Sequence, residues 1–209
     1  MFSESSITSF DSDLPEMVDG SNMFEECYKL QTVNINAPKM KYSDTILANC
    51  TGLTSATINA PEMISGNNML FGSTSLTTVE LNAPKLMNGY CAFYGCTNLT
   101  TFSGDLSSLK EGYDMFYKCK LDGASVANIY NTIPDITVPH STYALDYVGK
   151  LSVGIGSSYS STASTNKSRL NTFAVAAGFA DWASLKQAFV DKGWNVTWYY
   201  SASDKIIEV

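Results

Sequence analysis

Four of the five cysteines, Cys27, Cys50, Cys96 and Cys119, fall on one 23-residue grid, and Ser73 fills the missing step. Thiols in that number suggest disulfides, zinc or a nucleophile. No pair has the short C-x₂₋₄-C spacing of a structural zinc site. Residues at one repeat position stack in a column about 4.8 Å apart, so we read the four as buried small hydrophobes in a thiol ladder rather than as disulfides. Cys91 lies off the column and is expected to be exposed. The only histidine, His140, stands beside Ser141 in the run V-P-H-S-T-Y, where a Ser/His nucleophile pair is conceivable. No G-x-S-x-G elbow accompanies it, and an ordinary loop histidine is the better reading. Gly154 and Gly156 begin a dinucleotide fingerprint, but Tyr159 occupies the third glycine's place. Among the carboxylates, Glu80 and Asp105 fall on adjacent strands of the outward face and could in principle serve as an acid/base pair. Nothing in the sequence excludes water there, so a solvated face is expected. Calcium would suit oxygen ligands, but no calcium-loop pattern is present. We expect no catalytic residue, no cofactor and no metal.

The elements that must position these residues follow from the same interval. Leu30, Leu53, Leu76 and Leu99 keep it, as do Pro38, Pro61 and Pro84, and Phe24, Leu47, Leu70, Phe93 and Phe116. A period of 20–29 residues with a leucine consensus marks a solenoid, whose units bury their apolar sides only by stacking. In the unit beginning at Cys50, Leu53, Ala56 and Ile58 alternate with Ser55, Thr57 and Asn59, which predicts a short strand. Pro61 has no N–H and ends it. Gly66 and Asn67 supply a turn. One strand per coil in register gives a parallel sheet. The fold class expected is therefore an α/β solenoid of about five coils, with an α/β C-terminal cap.

The outward strand positions form polar columns: Asn36, Asn59 and Asn82 in one, and Thr32, Ser55, Thr78 and Thr101 in another. Either these side chains bond to one another along the stack, or they make a flat, rigid recognition face; the two are compatible. The candidate ligand-binding residues are Asn34, Asn36, Thr57, Asn59, Glu80 and Asn82 on this face, with His140 and Tyr143 on a neighbouring loop. Tyr28, Tyr42, Tyr90, Tyr94, Tyr113 and Tyr117 gather on the turns instead. They form a rival surface, since tyrosine offers contact area at low entropic cost.

The period breaks after Leu121. Asp122 caps a helix with Val126, Ile129, Tyr130 and Ile133 on its inner side, and Pro134 stops it. A strand over 151–155, helices over 167–177 and 181–192, and a strand over 194–200 follow. Loops over 134–150 and 156–166 are long enough to carry contacts. Strand–helix–strand order favours parallel addition to the solenoid sheet. The expected division is 1–121 for the array, its first coil incomplete, and 122–209 for the capping segment. Met1 aligns with Phe24, in mid-coil. This suggests the C-terminal part of a longer array or assembly.

A net charge of −7 argues against nucleic acid and anionic membranes as partners. No apolar run approaches the roughly 18 residues of a membrane span. The first ten residues show no signal peptide.

The recurring pattern is Cys-x-x-Leu, an alternating strand, Ala-Pro-x-Met or Leu, then Phe-x-x-Cys, as in Leu76 to Cys96. It resembles the bacterial BspA-like leucine-rich repeats over about residues 1–121. The end of the chain resembles the ends of such proteins from gut bacteria and their phages. The resemblance implies non-enzymatic binding of protein or glycan at a cell surface, in an extracellular, surface or virion setting. A phage tail or fibre component or an adhesin is the leading expectation. A carbohydrate-binding surface protein for nutrient capture comes second, and a hydrolase using the His140 loop third.

Overall fold

The computed structural model describes residues 2–135, 150–155 and 163–200. Strands β1 (Ser9–Asp13), β2 (Thr32–Asn36), β3 (Ser55–Asn59), β4 (Thr78–Asn82) and β5 (Thr101–Gly104) form one parallel sheet in sequence order. Their register never slips: Ser9, Thr32, Ser55, Thr78 and Thr101 lie side by side. Alternation sets the faces. Val33, Ala56, Val79 and Phe102 point inward and are buried, as are Ile35, Ile58 and Leu81. At β5 the inward pair is Phe102 and Gly104. A Cβ at Gly104 would lie 2.8 Å from the Leu81 carbonyl oxygen and 2.9 Å from the Phe102 ring. The larger ring fills the volume that Leu81 fills one coil earlier.

The opposite wall is built from Phe24, Leu47, Leu70, Phe93 and Phe116, all fully buried. Single bridges run from Asp19 through Tyr42, Ser65 and Asn88 to Glu111. Each coil turns twice through left-handed backbone, once at Asn22, Thr45, Asn68, Cys91 and Asp114, and once at Glu26, Asn49, Gly72, Gly95 and Lys118. Directly after the second turn lies the cysteine column. The thiols are buried and unbridged, and each donates to a carbonyl of the preceding coil: Cys50 to Phe24 at 3.0 Å, Cys96 to Leu70 at 3.1 Å and Cys119 to Phe93 at 3.3 Å. They are donors as well as small hydrophobes. Cys91, expected on the surface, is buried with 6 % exposure.

The last coil differs. Its far wall becomes a full strand, β6 (Gly112–Leu121), with bulges around the left-handed residues Asp114 and Lys118. Helix α1 (Gly123–Thr132) begins at Asp122, whose carboxylate accepts from the Ser125 N–H at 2.8 Å. Next come β7 (Lys150–Ile155), α2 (Ala163–Ala176), α3 (Trp182–Asp191, capped by Asp181) and β8 (Asn195–Tyr200). Helix α2 starts at Ala163, inside the stretch expected to be loop up to residue 166.

The cap strands are parallel, as expected, but they do not join the five-stranded sheet. They extend the far wall, in the order β6-β7-β8. The reason lies in α1, which packs on β5 where the next strand would fall. Its Ser125 hydroxyl accepts from the Phe102 N–H at 2.9 Å and donates to the Thr100 carbonyl at 3.1 Å. The Asn128 side-chain oxygen accepts from the Gly104 N–H at 3.0 Å. The outward N–H groups of Phe102 and Gly104 are thus taken by side chains of α1, and the cap strands add to the far wall instead. One continuous apolar core includes both Leu30 of the array and Trp198 of the cap.

Candidate functional site

The polar columns stand on the outer face of β1–β5, because apolar residues take the inward positions of β2–β4. Asn36, Asn59 and Asn82 form a hydrogen-bonded ladder. The Asn82 amide donates to Asn59 at 2.6 Å, Asn59 to Asn36 at 2.7 Å, and Asn36 to the Asp13 carboxylate at 2.7 Å. All the amides point one way, so successive dipoles reinforce one another. In the neighbouring column Asn34 donates to Asp11 at 2.9 Å. Thr57, Glu80 and Ser103 continue that column by register. A third line alternates in charge below the prolines: Lys39 pairs with Glu16 and Lys85 with Glu62, each at 2.7 Å.

The ladder decides which expected residues are available. Asn34 and Asn36 are engaged with the strand before them. Asn59 both donates and accepts. Asn82 donates only, leaving its amide oxygen open, and among the described residues the Glu80 carboxylate and the Thr57 hydroxyl make no hydrogen bond or ion pair. Glu80, Asn82, Ser103 and Asp105 rim a recess of about 280 Å³ over Gly104. The six face residues therefore share one surface, with its free polar atoms concentrated at β3–β5. His140 and Tyr143 lie outside the described residues. Glu80 and Asp105 flank open solvent, with no enclosure that would shield a proton transfer.

The tyrosine edge has a different character. Phe71 and Tyr94 stack at 4.9 Å with 9° between rings, Tyr90 and Tyr113 at 5.8 Å with 16°. Tyr94 then meets Tyr117 at 4.9 Å, and Tyr117 meets Tyr199 of β8 edge-on at 4.5 Å. In these pairs the rings cover one another, while Tyr28 and Tyr42 stand exposed elsewhere on the edge. A hollow of about 400 Å³ that sequence reasoning missed lies between Ile64, Met87 and Leu109, with Lys85 and Lys110 at its rim. Its signal was available: Ile64 and Met87 stand in a column where Lys41 and Lys110 stand in other coils.

Burial holds the thiols of Cys50, Cys91, Cys96 and Cys119 in the protonated state. It pushes Cys50 and Cys96 up to about 12 and Cys119 well above the usual thiol range. Cys91 rises to about 11 for the same reason, with the nearby Asp114 carboxylate adding to it. None is a poised nucleophile. Among the described residues no group of three histidine, cysteine or acidic side chains is placed to hold a metal ion. No described helix is long and apolar enough to cross a membrane.

Residues 20–142 match the BspA type leucine rich repeat region in six copies. No curated protein matches the chain, and no solved structure does.

Proposed function

The chain belongs to the BspA-type leucine-rich repeat family, and from that premise we propose that it is a non-enzymatic binding module for a protein or glycan on a bacterial or host cell surface. The contact surface in this reading is the polar face of β1–β5, led by Asn59, Glu80 and Asn82. The setting is an adhesin or a phage tail component, outside the cell. The observation that carries it is the end of the amide ladder at Asn82. Up to that point the stack satisfies its own polar groups. Beyond it the Asn82 amide oxygen and the Glu80 carboxylate stand unused beside a shallow recess. Groups held rigid and left unsatisfied bind without the cost of ordering them. The stiffness comes from the uninterrupted register of five strands.

The test is adsorption to bacterial cells together with glycan-array binding. The variant carrying Asn59→Ala, Glu80→Ala and Asn82→Ala should keep its circular dichroism spectrum and lose at least about tenfold in affinity for the target found. Full affinity in the folded variant refutes the face. The segment with His140 and Tyr143 is the second contact in this proposal, tested by replacing residues 138–146 with a short glycine linker. Hydrolysis abolished by His140→Ala would overturn the non-enzymatic reading.

A further inference from the structure

One flank of the array departs from the acidic character of the molecule, whose net charge is −7. Between the proline corner and the far wall, the coils stack residues 41, 64, 87 and 110 in one column. The Ile64 N–H donates to the Lys41 carbonyl at 2.9 Å, Met87 to Ile64 at 3.1 Å and Lys110 to Met87 at 2.9 Å. The next column inward, Met40, Met63, Leu86 and Leu109, is fully buried and closes the core. Ile64 and Met87 are surplus to it: both are half-buried, and neither belongs to the continuous core. Where other coils carry Lys41 and Lys110, these two leave an apolar floor at the surface.

That floor is walled. Pro134 closes one side of the hollow of about 400 Å³, and the cap fixes its position. Trp194 Nε1 donates to the Pro134 carbonyl at 2.9 Å, and the Lys192 ammonium donates to the Tyr130 and Ile133 carbonyls at 2.6 and 2.9 Å. The volume falls within the range of small-ligand sites, about 300–1,000 Å³. Among the described residues that line it, the polar ones are lysines and serines, and none is acidic. Lys85 gives protons to both Glu62 oxygens at 2.7 Å and keeps one more. The recess on the strand face has the opposite sign, with Glu80 and Asp105 at its rim. Charge therefore separates what the two hollows can hold.

We propose that the walled hollow binds a small amphiphilic carboxylate, its unbranched acyl chain over Ile64, Met87 and Leu109 and its carboxylate at Lys85 and Lys110. The floor spans successive coils stacked about 4.8 Å apart, which suits an apolar body roughly 10 Å long. Burial of the chain supplies affinity. The ammonium groups orient the ligand through charge-assisted hydrogen bonds and reject cations. This site is separate from the polar strand face and does not depend on it.

Octanoate is the probe, compared with 1-octanol and octylammonium. Each is titrated into the 209-residue chain and read by NMR at the Ile64, Met87 and Leu109 methyl groups. Octanoate should saturate those shifts with a Kd at or below about 1 mM, at least about tenfold tighter than octanol, and octylammonium should leave them unmoved. Met87→Lys suits the fold, since lysine stands in the same column at Lys41 and Lys110, and should weaken octanoate at least about tenfold. Lys85→Met with Lys110→Met should erase the preference for octanoate over octanol. Absence of saturable octanoate binding, equal affinity for octanol, unchanged binding by Met87→Lys, a preference that survives the lysine variants, or shifts confined to other residues would each overturn the proposal. Octanoate binding that emerges only when residues 138–146 are replaced by a glycine linker would overturn it too, and would assign the hollow to that segment of the chain.

Discussion

The Ser73 hydroxyl donates to the Leu47 carbonyl at 2.9 Å, across 26 residues of sequence, the same link that Cys50 makes to Phe24 and Cys96 to Leu70. Serine and cysteine share a column because the column needs a small side chain with one proton to give. The carbonyl it satisfies belongs to a buried wall residue, out of reach of water. Ser73→Ala should therefore cost about 1–3 kcal/mol, the penalty of an orphaned buried acceptor. Ser73→Cys should change stability by less than about 1 kcal/mol. Urea unfolding of the two variants reads the difference.

The cysteine column should be silent to thiol reagents in the native protein and fully reactive after denaturation, with the same mass before and after reduction. Accessibility and charge state act together, since burial raises the pKa of Cys50 and Cys96 from 9.0 to about 12. The folded state then holds protons that the unfolded chain releases. Stability from this source is complete below about pH 9 and falls as pH rises toward about 12. Replacing Cys50 and Cys96 by serine should flatten that alkaline decline, measured as unfolding midpoint against pH. A native disulfide between any two column cysteines would contradict the ladder.

Gly123, at the first turn of α1, lies against the end of α2. A Cβ there would come within 2.8 Å of the Ala176 backbone carbon and 2.9 Å of the Ala177 nitrogen. Both are backbone atoms that cannot swing aside. Gly123→Val should cost about 1–3 kcal/mol through overpacking. It should also loosen the cover on β5, because Ser125 and Asn128 ride on the displaced helix. Faster exchange at the Phe102 and Gly104 amides would register that second effect, while a purely local clash would leave them unchanged.

Most of the array is legible from one dimension. The inward alternation of Val33 and Ile35, the stop at Pro38 and the leucine interval all recur with a fixed spacing, and stacking turns each recurrence into contact. The Asn34 and Asn36 columns follow directly, since a constant register places equal positions side by side. The two left-handed columns are less readable. Asn and Gly hint at them, but Thr45 and Lys118 sit there too, held by the coils on either side rather than by their own preference. Cys91 occupies such a position, and its burial comes from the neighbouring coils.

The sequence by itself determined the solenoid, its period, the identity of the core columns, the helix cap at Asp122 and the polar character of the outer face. Each of these rests on local alternation or on repetition, which the chain carries in its own order. Tertiary structure alone decided where the cap attaches and which face groups remain free. The cap strands joined the far wall because side chains of α1 had already satisfied β5. Asn82 and Glu80 became the open end of the ladder through donors and acceptors aligned across 23 residues. Those outcomes depend on which hydrogen-bonding groups are already used, and that count closes only when distant coils meet.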